Sequence, residues 1–186
     1  MADALLAGGL PCVEITFRTA AAAEAISILA QRYSDLLVGA GTVLTAEQAR
    51  VARDSGARFL VSPGFSPDVV DQCARLELTM IPGVCTPTEI EMALNRGITT
   101  VKFFPAEAAG GIKFLKAVSA PYKQVRFMPT GGIDDSNLAQ YIALKEVAAC
   151  GGSWMVKSDW IAARDYARIS SASRTAVAIV SETRSK

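Results

Sequence analysis

One unit recurs along this chain: a short apolar run rich in β-branched residues, a polar or glycine-bearing turn, then an amphipathic stretch of helical spacing. The apolar runs fall at residues 12–17, 36–43, 59–62, 79–84, 99–104, 124–128 and 147–150. They recur about every 20 to 25 residues, the period of alternating strands and helices. Helix starts are marked independently: Thr45 with Gln48 and Thr86 with Glu89 have capping-box spacing, while Pro67 and Pro87 stand at first helical positions behind Ser66 and Thr86. Seven such units suit either an open doubly wound sheet or a (β/α)8 barrel. No GxGxxG follows the first strand, which removes the main sign of a dinucleotide fold and favours the barrel. A helix at 2–7 is expected to open the chain and one or two helices over 161–182 to close it, with Trp154 and Trp160 as packing anchors.

With 186 residues, half of them apolar, and a formal charge of +1, the chain is long enough for one domain spanning residues 1–186 with a sizeable core. No basic excess points to nucleic acid, and no apolar run reaches the roughly 18 residues that suggest a membrane span. The first residues lack the positive start of a secretory signal, so a cytoplasmic protein is expected. Cys12, Cys73, Cys85 and Cys150 form no CxxC pair and read as reduced core residues. Histidine is absent altogether. That excludes Ser-His and Cys-His nucleophile pairs and the commonest zinc ligand, leaving Lys, Glu, Asp, Tyr and Cys for any chemistry.

Lys102 interrupts the apolar run 99–104. A buried ammonium is costly unless paired, and desolvation pushes it toward the neutral, nucleophilic amine; snorkelling to solvent is the competing account. Strand parity extends the reading. In the first strand Val13, Ile15 and Phe17 share one face and Glu14, Thr16 and Arg18 the other; in the fifth, Lys102 and Phe104 lie opposite Val101 and Phe103. If the apolar faces pack on helices, Glu14 and Lys102 face one lumen, as an acid/base and amine pair or as a buried ion pair. Arg18 at the strand end offers a forked donor to a carboxylate, or a surface salt bridge. Two glycine turns, Pro129-Thr130-Gly131-Gly132 and Gly151-Gly152-Ser153-Trp154, follow the last two strands. Barrels often bind phosphate there. Gly110-Gly111 is expected to turn the chain into a helix over 112–118.

Taken in order, Val13-Glu14-Ile15-Thr16-Phe17-Arg18-Thr19, Val38-Gly39-Ala40-Gly41-Thr42-Val43, Ser62-Pro63-Gly64, Val101-Lys102-Phe103-Phe104-Pro105-Ala106-Glu107 and the two glycine turns resemble the 2-keto-3-deoxy-6-phosphogluconate (KDPG) aldolases, which overlap with the 4-hydroxy-2-oxoglutarate aldolases. The resemblance runs from Met1 to about residue 180. It implies a homotrimeric class I aldolase with a (β/α)8 TIM barrel that splits KDPG into pyruvate and glyceraldehyde 3-phosphate. Cleavage of 4-hydroxy-2-oxoglutarate to pyruvate and glyoxylate is the accompanying activity.

Carried over by motif, Lys102 forms the Schiff base and Glu14 moves protons through a bound water. Arg18 and Thr42 hold the pyruvate carboxylate, Pro63 and Phe104 shape the pocket around it, and Thr130, Gly131, Gly132, Gly152 and Ser153 take the phosphate-bearing end. Glu107 matches the motif with no physical role attached. No metal or cofactor is expected, since the lack of histidine suits a class I enzyme; the expected partner is a small 2-oxo acid phosphate, with neither nucleic acid nor membrane. Because Met1 falls within what reads as the family's first helix, a seven-stranded barrel lacking its first strand is expected, and a fragment of a longer protein with it. A remnant that binds phosphorylated acids without cleaving them is the rival from another class. A phosphosugar epimerase barrel is a third, weakened by the strand lysine and the missing histidine.

Overall fold

A computed structural model describes residues 1–185. Its elements follow in the order α1 (Ala2–Ala7), β1 (Cys12–Thr16), α2 (Ala22–Arg32), β2 (Leu37–Gly41), α3 (Ala46–Asp54), β3 (Phe59–Val61), α4 (Pro67–Arg75), β4 (Thr79–Ile81), β5 (Gly83–Val84) and α5 (Pro87–Leu94). They continue with β6 (Thr100–Phe103), α6 (Gly111–Ser119), β7 (Arg126–Pro129), α7 (Leu138–Ile142), α8 (Ser158–Ala162) and α9 (Tyr166–Arg184). The chain packs as two compact units: Cys12–Lys102, and Met1–Pro11 together with the chain from Phe103 onward. No helix among the described residues is long and apolar enough to cross a membrane.

The Cys12–Lys102 unit is a parallel sheet ordered β1-β2-β3-β4, with helices on one face. Register sets the two faces. Ile15, Ala40, Leu60 and Met80 lie on one side; Ala40 and Leu60 are fully buried beneath helices whose inward residues include Ile26, Ala49, Ala52, Val69 and Cys73. Glu14, Gly39, Phe59 and Thr79 align on the other. Full burial of one Leu or Ile contributes about 1.5–3 kcal/mol, so this helix-covered face dominates the unit's stability. Helix starts follow the expected chemistry. Thr86 and Glu89 close a reciprocal capping box. Thr45 accepts from the Gln48 N–H, but the Gln48 amide oxygen reaches back to the N–H of Leu44 rather than Thr45.

Two expected strands differ. The run 79–84 is two strands, β4 and β5, because Pro82 has no N–H for the ladder; its carbonyl instead accepts from the Lys102 N–H at 2.9 Å. The run 147–150 makes only isolated parallel bridges, Phe127 with Val147 and Thr130 with Gly151. Backbone bonds at Ala148 and Gly151 flank Ala149 and Cys150, which take no ladder position.

In the other unit, α9 packs across α1 and α7. Gly8 is required where α1 crosses α9: a Cβ there would stand 2.5 Å from Ser173 Cβ. Trp154 and Trp160 are not buried anchors. Both are half-exposed and line a cavity of about 400 Å³ with Asp134, Lys157, Arg168 and Thr175, and the Trp160 ring carries Lys157 and Arg168 against it. All four cysteines are free, but only Cys73 is a core residue; Cys12 is exposed at the start of β1.

Candidate active site

Lys102 is the one charged residue in the described core, 6% exposed on β6 between buried Val101 and Phe103. Its backbone bond to Pro82 fixes the strand beside β5. Burial pushes its pKa below the ordinary lysine value; the Glu14 carboxylate opposes that shift and the Arg18 guanidinium adds to it. Glu14 responds inversely. Burial raises its pKa above the ordinary carboxylate value, against the attraction of Lys102 and Arg18. Parity thus brings Glu14, Arg18 and Lys102 into one electrostatic group, and burial makes each of the first and last easier to keep neutral. The attraction between them partly offsets both shifts.

Room for Glu14 comes from Gly41, a residue whose part in the site the strand pattern does not announce. A Cβ at Gly41 would stand 1.7 Å from Glu14 Oε1 and 2.4 Å from its Cδ. Gly41 has no positive φ, so its restriction is purely steric. Gly41→Ala should displace the Glu14 side chain and destabilise the unit by about 1–3 kcal/mol, the scale of core overpacking. Gly8→Ala, which meets Ser173 Cβ at 2.5 Å where α1 crosses α9, should destabilise without touching Glu14. Comparing chemical denaturation with turnover for both variants checks this: Gly41→Ala should lose activity beyond its loss of folded protein, and Gly8→Ala should not.

Thr42 follows with φ 55°, a left-handed conformation uncommon for a β-branched residue and costing about 1–3 kcal/mol, as strained residues at functional sites do. Arg18 is exposed, and its guanidinium makes no salt bridge among the described residues. Pro63 sits in a turn closed by Ser62 Oγ donating to the Gly64 carbonyl at 2.7 Å, and its own carbonyl leaves no room for a side chain at Gly83.

The remaining expected residues belong to the other unit. Gly131 and Gly132 have φ of 99° and 81°, so their turn demands glycine twice in succession. The Phe104 ring packs under Gly131, where a Cβ would meet it at 3.4 Å. Backbone bonds from Ala106 to Thr130 and from Glu107 to Gly131 tie the stretch after β6 to this turn. Thr130 bridges Gly151, whose missing Cβ accommodates Thr130 Oγ1, and Gly152 and Ser153 are exposed just beyond. Glu107, without a role in the sequence reading, accepts a short hydrogen bond from the hydroxyl of the buried Tyr141.

A family model described as KDPG and KHG aldolase matches residues 1–172. A 2-dehydro-3-deoxy-phosphogluconate aldolase of Treponema pallidum is 52% identical over 97% of this chain and 86% of its own length. A KHG/KDPG aldolase of Escherichia coli K12 is 44% identical over 95% of this chain and 83% of its own. Among solved structures, KDPG aldolase from Legionella pneumophila, with pyruvate captured as a covalent carbinolamine, superposes with TM-score 0.91 at 40% identity, covering 94% of this chain and 85% of that one. The parallel strand and helix order is that of the TIM-barrel class.

Proposed function

The chain belongs to the KDPG and KHG aldolase family, and from that premise we propose that it is a Schiff-base aldolase cleaving KDPG to pyruvate and glyceraldehyde 3-phosphate. The observation that carries the proposal is a buried strand lysine, Lys102, whose pKa is lowered by burial and which is electrostatically paired with a carboxylate whose pKa is raised. The neutral Lys102 amine adds to the C2 carbonyl, and uptake of one proton with loss of the carbinolamine hydroxyl as water gives an iminium. Glu14 takes the proton of the C4 hydroxyl, the C3–C4 bond breaks, and its electrons pass into the iminium to give an enamine as the aldehyde departs. Protonation at C3 and hydrolysis release pyruvate and restore the amine.

Arg18 holds the carboxylate of the 2-oxo acid, with Thr42, Pro63 and Phe104 around the pyruvate half. Thr130, the Gly131-Gly132 turn, Gly152 and Ser153 receive the phosphate, since backbone N–H groups freed by glycine suit an anion. The Gly131-Gly132 turn and the Thr130 and Ser153 hydroxyls support preference for the phosphorylated substrate, with 4-hydroxy-2-oxoglutarate as a second one; the homotrimer and the cytoplasmic location are part of the same proposal. Pyruvate release from each substrate, measured in a coupled assay, tests it. We expect turnover of both with higher kcat/KM for KDPG; a folded chain that binds KDPG but releases no pyruvate would instead be a binding remnant.

A further inference from the structure

Glu107 poses an electrostatic problem: it places a carboxylate beside a turn suited to an anion. The structure contains a resolution. The aliphatic stem of Glu107 lies against Gly132, whose Cβ position is 2.7 Å from Glu107 Cβ and Cγ. Its carboxylate is engaged through Oε1 by the hydroxyl of Tyr141, which is fully buried on α7. Burial and the neighbouring Glu107 carboxylate both push the Tyr141 phenol far above its usual range, so it stays a donor. From the other side, Asn137 Nδ2 donates to the Gly132 carbonyl at 2.8 Å while its Oδ1 accepts from the Asp134 N–H at 3.0 Å. The Glu107 N–H donates to the Gly131 carbonyl at 3.1 Å.

We propose that Glu107, Tyr141 and Asn137 are positioning residues that hold the Gly131-Gly132 turn open for an anion, with Tyr141 tethering the Glu107 charge away from the bound phosphate. This rests on the assignment of that turn to the phosphate-bearing end of the substrate. The backbone carbonyls of both glycines are occupied by these partners, which leaves the conformation of two consecutive left-handed residues over-determined. Releasing the Glu107 carboxylate therefore weakens phosphate binding by repulsion as well as by loosening the turn.

The test compares Tyr141→Phe, the double variant Tyr141→Phe/Glu107→Gln, and Ser153→Ala, using KM and kcat for KDPG and for the unphosphorylated 4-hydroxy-2-oxoglutarate. The Kd of inorganic phosphate, read from thermal-shift titration, is followed alongside and needs no turnover. Tyr141→Phe should raise KM for KDPG and Kd for phosphate about tenfold, the scale of one charge-assisted hydrogen bond, with 4-hydroxy-2-oxoglutarate unaffected. Adding Glu107→Gln should recover much of the loss, because the repelling charge is gone. Equal losses on both substrates, or no recovery in the double variant, would make the cluster merely structural and overturn the inference. If Ser153→Ala weakens phosphate binding and Tyr141→Phe does not, the inference alone fails. Where neither variant changes phosphate binding, the assignment of the turn fails and the inference with it.

Discussion

Lys102→Ala should lower kcat for KDPG by at least about four orders of magnitude, the scale on which loss of a covalent nucleophile is felt, while leaving the chain folded. Without the amine there is no iminium to accept the C3–C4 electrons, and no other lysine lies in the described core. The chain tolerates the loss because burial of Lys102 is itself unfavourable, and Glu14, freed from the lysine's attraction, takes up a proton more readily.

The pH dependence of stability carries the same signature. The folded-state pKa of Lys102 is depressed, so between that value and the ordinary lysine value the unfolded chain binds more protons than the folded one. Stability therefore rises with pH across this alkaline window and is lost as pH falls through the folded value. Glu14 acts oppositely: its raised pKa makes stability fall as pH rises from the ordinary carboxylate value to the folded one. In Lys102→Met the alkaline gain should vanish and the Glu14 decline should move to higher pH. Denaturant titrations across pH give both slopes.

Glu14→Gln should lower kcat by about 10²- to 10⁴-fold, the usual contribution of a positioned acid/base, yet still form the imine. The amide fills the space beside Gly41 but neither takes nor returns a proton. It also removes the attraction that raises the Lys102 pKa, so Lys102 becomes neutral at lower pH. Imine formation in the variant should accordingly reach its half-maximal rate at a more acidic pH than in the parent. Single-turnover measurement of pyruvate imine formation separates this from the turnover defect. Coincident loss of imine and turnover would remove Glu14 from the proton-transfer role.

Periodicity was enough to read most of the architecture because apolar runs recur at the βα spacing and α3, α4 and α5 announce their starts. Glu14 and Lys102 were legible by parity: β1 and β6 are regular, so a period of two decides which face each residue takes. The part of Gly41 was hidden because its role is the volume of another residue's carboxylate, fixed by the β1–β2 register rather than by either strand alone. Pro82 carried a legible warning, a residue without an N–H inside an apparent strand, and the division into β4 and β5 follows from it. Residues 147–150 look like a strand in composition, but their pairing depends on β7, so local preference could not decide it. Glu107 and Tyr141 are 34 positions apart and meet only in the folded chain.

The central claim is that Lys102 forms an imine with a 2-oxo acid. Borohydride reduction of the chain in the presence of pyruvate, followed by peptide mass mapping, tests it most directly. A stable adduct on the peptide containing Lys102, absent without pyruvate and absent from Lys102→Ala, is the result expected. A folded chain that yields no adduct, or carries it on another lysine, would contradict the account.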